Sequence, residues 1–207
     1  MEKEFFQIIR KKEHSYQQVL TAVQKQLDTG KAVIISIDGR CGSGKTGLAE
    51  VICKSFSCNV FHMDDYYLPM DKREENWEQL PGGNIDFERF KREVLMPAYR
   101  GEAITYRPYD CQTGTVVRCE QMQPCMLTVV EGSYSAHPLL ADKYDIRIFL
   151  TCSKEVQRLR LKNREGEKLK AFEQKWIPLE ENYFKCYNIE ENSTMVIDTD
   201  DFFLVEE

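Results

Sequence analysis

The sequence predicts an open α/β fold with helices on both faces of a mainly five-stranded parallel sheet, on three observations. A short apolar run, Val33, Ile34, Ile35 and Ile37, breaks into a glycine-rich turn and then reads as helix over 46–55. A second apolar run, Asn59 to Met63, ends on the acids Asp64 and Asp65. Three more strand-like segments follow at 126–130, 144–150 and 194–197, separated by helical stretches. Strands alternating with helices in this way form a three-layer α/β/α sandwich. A chain of 207 residues can bury that core as one domain, 1–207.

Between the first strand and its helix lies Gly39-Arg40-Cys41-Gly42-Ser43-Gly44-Lys45-Thr46, followed by Gly47. This is the G-x-x-x-x-G-K-[ST] pattern of a phosphate-binding loop, or P-loop. Glycines let successive backbone N–H groups curl around an anion, and the following helix adds its positive N-terminus. Lys45 is expected to reach the β- and γ-phosphates of ATP, and the Thr46 hydroxyl to hold Mg²⁺. A glycine-rich turn matching by accident is the alternative. The buried strand before the loop and the helix after it weigh against that.

Composition bounds the partners. A net charge of −6 argues against general nucleic-acid affinity, which needs a basic face. A local nest of N–H groups and a few cations still suffices for an anionic nucleotide. No apolar run is long enough to span a bilayer, and MEKEFFQIIRKK lacks a signal-peptide apolar region, so a cytoplasmic protein without membrane contact is expected. Eight cysteines (41, 53, 58, 111, 119, 125, 152 and 186) contain no C-x-x-C pair, which points to reduced thiols rather than zinc or a disulfide scaffold. Cys41, inside the loop, reads as a small residue in a permissive position, with oxidation sensitivity as the rival reading.

Along the chain, Phe5, Phe6, Ile9, Tyr16, Val19, Leu20, Val23 and Leu27 have helical spacing, which predicts an N-terminal helical extension over 1–29 closed by Gly30. In open parallel sheets ligands bind beyond the carboxyl ends of the strands. Asp64 is therefore placed to meet a substrate hydroxyl or a metal, and Asp65 reads as a cap. His62 is expected to point into the sheet or its covering layer. Residues 68–83, with Pro69, Pro81, Gly82 and Gly83, read as a long surface loop over the site, anchored by Trp77. Asp86 reads first as the N-cap of the next helix, with a substrate contact also open.

Residues 103–119 form two extended segments around Gln112-Thr113-Gly114, a hairpin signature. Glu131 directly follows an apolar strand, where a P-loop protein uses a carboxylate near Mg²⁺ or the reacting water. Residues 153–175 carry many cations and read as a solvated helix face or as a lid over the phosphates. Arg158 and Arg164 are the cations expected to reach the transferring group.

The segments DGRCGSGKT, HMDDYYL, NIDFERF, YRPYDCQTG, VVEGSYS and RLRLKNRE resemble successive motifs of the uridine kinase family, related to phosphoribulokinase within the P-loop kinases. The resemblance covers roughly residues 30–200. It implies transfer of the ATP γ-phosphoryl group to a small-molecule hydroxyl, typically the 5′-hydroxyl of a pyrimidine nucleoside such as uridine or cytidine. By the same resemblance, Asp64 is the carboxylate that takes the hydroxyl proton, and Tyr67 lies in the same turn. Asp86 holds the ribose hydroxyls, Tyr109 lies near the base, Glu131 follows the third core strand, and Arg158 and Arg164 fall in the lid. Two positions depart from the pattern. Cys111, Gln112 and Thr113 occupy the stretch where nucleoside-specific members carry a base-reading histidine, and Gly47 stands where many relatives carry a second hydroxyl.

Other classes remain. A kinase for a different small alcohol shares every feature above except the acceptor pocket. A non-catalytic nucleotide-binding module would keep the loop without the acids. A GTPase-type switch needs an N-K-x-D tetrad, which the sequence lacks. Homo-oligomerisation stays open.

Overall fold

The computed structural model describes residues 2–111, 113–116 and 118–202, with side chains from residue 14 onward. The expectations for Phe5, Phe6, Ile9 and Gln112 lie outside these described positions or side chains.

The chain begins with one helix, α1 (Glu2–Leu27), and then enters β1 (Val33–Gly39). Helix α2 (Lys45–Ser55) follows the loop, and β2 (Asn59–His62) runs into a short 3₁₀ turn, Met63–Tyr66. Helices α3 (Phe87–Phe90) and α4 (Met96–Arg100) are joined by a wide π turn, Lys91–Leu95. An excursion of four short strands comes next. Strands β3 (Ile104–Tyr106) and β6 (Glu120–Met122) pair antiparallel, and so do β4 (Tyr109–Asp110) and β5 (Thr115–Val116). The expected hairpin is present, and its outer pairing extends it to Met122.

The core then resumes with β7 (Leu127–Glu131), β8 (Ile146–Thr151) and α5 (Lys154–Glu165). After α6 (Leu169–Ala171) and a π turn, Phe172–Trp176, the chain continues into α7 (Ile177–Tyr187) and β9 (Met195–Asp198). Pro178 sits at the start of α7, where its missing N–H costs little. Ser153 caps α5 by accepting from the Val156 N–H at 3.3 Å.

The main sheet has the order β2-β7-β1-β8-β9, every pair parallel, as the alternation predicted. Side-chain alternation divides its core in two. On one face Val33, Ile35, Ile37, Ile146, Ile148 and Leu150 pack against Val19 and Val23 of α1 and Leu48 and Ile52 of α2. On the other, Ile34, Val130 and Phe149 meet Phe90, Val94 and Leu95 and, from α7, Tyr183 and Phe184. Every residue of β1 and β7 is buried, so these two strands run through the middle of the molecule.

This arrangement brings the carboxyl ends of β1, β2 and β7 together. In register, Glu131 lies beside both Ile37 and His62. The 68–83 loop is closed at its base by hydrogen bonds from Leu68 N–H to the Asn84 carbonyl (2.8 Å) and from Asp86 N–H to the Tyr66 carbonyl (2.7 Å). Trp77 is buried, as an anchor should be.

Candidate active site

The loop after β1 owes its path to its glycines. Gly39, Gly42 and Gly44 all have positive φ (133°, 77° and 96°), which side-chain-bearing residues rarely adopt. At Gly39 a Cβ would lie 2.0 Å from the Leu150 carbonyl oxygen, so only glycine lets the loop leave the sheet so close to β8. The Ser43 N–H bonds the Arg40 carbonyl (3.0 Å), and α2 begins at Lys45.

A cleft of about 1000 Å³ opens over this loop, lined by Cys41, Gly42, Gly44, Lys45 and Thr46. Across from them stand Asp64 and Tyr67 after β2, Glu131 and Ser133 after β7, and Glu180 from α7. Arg160, Asn163 and Arg164 of α5 and Trp176 form the lid side.

Within the cleft Lys45 folds back on its own loop, donating from Nζ to the carbonyls of Gly39 (2.7 Å) and Arg40 (3.1 Å) and to Ser133 Oγ (3.4 Å). The Thr46 hydroxyl donates to Glu131 Oε1 at 3.3 Å. Asp64 accepts from the Tyr67 hydroxyl at 3.0 Å. The Asp64 carboxyl opens to solvent through the mouth of the cleft, with protein on its remaining sides. That enclosure raises its pKa, opposed by the Tyr67 hydrogen bond and Lys45 and reinforced by Glu131 and Asp65.

Several expected residues stand elsewhere. The Arg40 side chain turns to the back of the loop, donating from Nε to Glu181 Oε1 (2.7 Å) and from Nη1 to Thr151 Oγ1 (2.5 Å). Gly39, Ser43 and Gly47 do not line the cleft. Asp86 caps α3 by accepting from the Arg89 N–H at 3.0 Å, and its other oxygen lies 3.5 Å from Arg89 Nε. Tyr109 lies in the hairpin strand β4, outside the cleft lining. Arg164 lines the cleft; Arg158 points away from it and pairs with Glu173 at 2.7 Å. Six positions apart on a helix, the two side chains project about 120° from each other, and the α5 face that lines the cleft (Val156, Leu159, Arg160, Asn163 and Arg164) includes only Arg164.

His62 corrects the expectation of a core histidine. Its side chain is 43% exposed, and Nδ1 lies 2.5 Å from Glu131 Oε1. The Glu131 hydrogen bond is the main reason its pKa is raised. Cys41 is buried, and burial pushes its thiol pKa up, with Glu180 adding to the effect; this favours the small-residue reading over oxidation.

Sequence reasoning passed over three residues that shape the site. Glu180 Oε2 accepts from the Cys41 backbone N–H at 3.0 Å, and its Oε1 takes a short hydrogen bond from the Ser133 hydroxyl. Arg160 donates to the Gly42 carbonyl (3.2 Å) and to Thr199 Oγ1 (2.9 Å), tying α5 to the loop. Asp38, fully buried, accepts from the N–H groups of Gly39 (2.7 Å) and Ala136 (2.9 Å) and from the Tyr183 hydroxyl (2.8 Å). Burial raises the Asp38 pKa to about 6 in spite of these donors. A carboxylate at the penultimate position of the buried strand VIISIDG was the available signal. Glu180 had none, because it is one of two adjacent acids on α7, and nothing local in the sequence distinguishes it from Glu181.

Thr46 and Glu131 supply hard oxygen donors, the kind Mg²⁺ takes alongside phosphate oxygens and water. Among the described residues no group of three or more His, Cys, Asp or Glu side chains could hold a metal by itself. No helix of the described chain is long and apolar enough to cross a membrane.

No family model and no curated protein matches the sequence. Solved structures do match in fold. A possible uridine kinase from Bacillus stearothermophilus superimposes with a TM-score of 0.67 at 19% identity, over 90% of this chain and 98% of that one. A candidate fructose transport system kinase from a Silicibacter species gives 0.65 at 20% identity, over 88% and 98%. The chain has the three-layer α/β/α fold of the P-loop kinases, with its cleft at the carboxyl ends of the central strands.

Proposed function

We propose that this protein is an ATP-dependent small-molecule kinase that transfers the γ-phosphoryl group to a hydroxyl, the 5′-hydroxyl of uridine or cytidine first among candidates. The observation that carries the reading is the sharing of one cleft by the phosphate loop and by Asp64, with Glu131 beside Thr46 between them. The loop N–H groups and Lys45 hold the ATP phosphates. Thr46, with Glu131 close by, would hold Mg²⁺, which would supply charge neutralisation on the phosphate oxygens.

Asp64 orients the acceptor hydroxyl and takes its proton as the oxygen attacks phosphorus. Its raised pKa makes it a better proton acceptor than an ordinary surface aspartate. Arg164, on the lid wall, faces the charge that builds on the transferring group. A single domain, 1–207, carries the whole cycle in this reading.

A different small alcohol is the second acceptor reading. It is favoured by Cys111, an exposed thiol in the stretch where nucleoside-specific relatives carry a histidine. A non-catalytic nucleotide-binding module is the third reading, and Asp64 and Glu131 in one cleft argue against it.

ADP release with Mg-ATP, measured against nucleosides, sugars, sugar phosphates and pantothenate, decides among the three. Uridine or cytidine turnover supports the first, turnover only with a non-nucleoside alcohol supports the second, and ATP binding without turnover of any acceptor supports the third. In the active case, Asp64→Asn lowers kcat by about 10²- to 10⁴-fold while ATP binding persists. Unchanged kcat removes Asp64 from the mechanism.

A further inference from the structure

Two thiols meet at the end of α2 farthest from the phosphate loop. Cys53 lies in its last turn, and Cys58 immediately precedes β2. Their sulfurs are 2.9 Å apart. A disulfide needs about 2.05 Å, so closing the bond asks for less than about 1 Å of movement.

The chain path, rather than one rotamer choice, brings the pair together. Phe56 ends the helix in an extended conformation, its N–H bonded to the Ile52 carbonyl at 2.8 Å, and its ring packs against the core on that side of the sheet. That turn carries Ser57 and Cys58 back over Cys53. On the far side, the Asn59 side chain donates to the Gln123 carbonyl (2.9 Å) and the Cys125 thiol to the Ser57 carbonyl (3.2 Å), which fixes the start of β2.

The two sulfurs differ in setting. Cys53 is exposed and Cys58 is half-buried. Burial and the neighbouring Cys53 sulfur push the Cys58 thiol up to about 12, and the two sulfurs share one hydrogen bond.

We propose that Cys53 and Cys58 form a redox-active dithiol that a peroxide oxidises to an intramolecular disulfide. The Cys53 thiol releases its proton to solvent and its sulfur, as thiolate, attacks one peroxide oxygen; the O–O bond breaks, Cys53 becomes a sulfenic acid, and the hydroxide that leaves takes up a proton to become the first water. The Cys58 sulfur then attacks the Cys53 sulfur, the S–O bond breaks, the S–S bond forms, and the Cys58 proton leaves with the departing hydroxide as water. Two thiols lose two electrons and two hydrogens in total, and the peroxide is reduced to two waters. The bond staples the end of the P-loop helix to the start of β2. Cys53 lies eight residues from Lys45, about 12 Å along the helix, so the phosphate cradle is left open.

The test uses the full-length protein treated with hydrogen peroxide, then trypsin. Cleavage after Lys54 separates the thiols into peptides 46–54 and 55–72. Oxidation should join these two in one species lighter by two hydrogens than their sum, and a thiol reductant should part them. Cys53→Ser and Cys58→Ser each abolish the species, and Cys125→Ser keeps it.

Phenylarsine oxide, a trivalent arsenical that bridges two close thiols with loss of water, probes the untreated wild-type protein without any mutation. It should link the same two peptides. The proposal is overturned if peroxide drives Cys53 to sulfinic acid with no cross-link. A cross-link from Cys58 to Cys125, or oxidation of Cys53 no faster than that of exposed Cys186 on α7, overturns it as well.

Discussion

Glu180 of α7 places a carboxylate oxygen 3.0 Å from the backbone nitrogen of Cys41, inside the loop that is built to receive an anion. The next residue, Glu181, holds Arg40 on the opposite side of the same loop. Two consecutive acids thus grip two consecutive loop residues, and α7 sets the shape of the cradle while adding a negative charge to it.

That charge opposes ATP, and removing it should help binding. Glu180→Gln keeps an amide oxygen for the Cys41 N–H, and the Ser133 hydroxyl can turn to accept from the new amide group. Mg-ATP affinity should rise about 3- to 10-fold, the scale of a Coulomb interaction between partly solvated charges. Isothermal titration reads it. Weaker binding in Glu180→Gln would mean that the carboxylate supports the loop more than it repels phosphate.

Asp38 gives stability a dependence on pH of known sign. Its folded pKa of about 6 lies above the ordinary 3.8, so between those values the folded chain holds a proton that the unfolded chain has released. Stability therefore falls as pH rises through this window and levels off above it. In Asp38→Asn that slope disappears, and the stability gap to wild type shifts by about 3 kcal/mol across the window. The variant also has one acceptor oxygen in place of two, which leaves the N–H of either Gly39 or Ala136 without its acceptor, at about 1–3 kcal/mol. Urea denaturation at several pH values checks both, and parallel profiles for the two proteins would contradict the assignment.

His62 and a cation compete for Glu131. The raised His62 pKa means that its charged form persists above pH 6.5, and the stability it adds is lost as pH rises through the folded value. As that charge goes, Glu131 is freed, so Mg²⁺ dependence of ATP binding should strengthen by about 3- to 10-fold across the transition. In His62→Gln, which stays neutral, Mg²⁺ affinity should be flat over the same range. A wild-type profile in that variant would show that His62 does not gate Glu131.

Two glycines of the loop region should respond oppositely to alanine. At Gly39 the new Cβ meets the Leu150 carbonyl at 2.0 Å in a φ that alanine rarely adopts, so Gly39→Ala should lose the cradle or fail to fold. Gly47 lies in α2 with nothing within 4 Å of a built Cβ. Gly47→Ala should stabilise the protein by about 1 kcal/mol through helix propensity, seen as a higher Tm. A destabilised Gly47→Ala would show that the loop needs the flexibility of this first turn.

Much of the molecule was legible in one dimension because its determinants are local. Apolar runs of strand length, the spacing of Tyr16, Val19, Val23 and Leu27, and the glycines of 39–44 act through backbone sterics and one-sided burial, which depend on near neighbours in the chain. The five strands and the loop followed from these. So did the presence of Asp64, Thr46 and Glu131 in one cleft, since in a parallel sheet the residues that follow each strand share one edge.

Contacts across the fold were decided only by packing. Which face of α5 meets the cleft depends on how that helix rests against Gly42 and Thr199, and this selects Arg164 and Arg160 over Arg158. Glu180 is 139 residues from Cys41, and Cys125 is 68 from Ser57, separations over which no periodic signal carries. His62 turned outward because Glu131, its register neighbour on β7, offered an acceptor that the strand sequence alone does not contain.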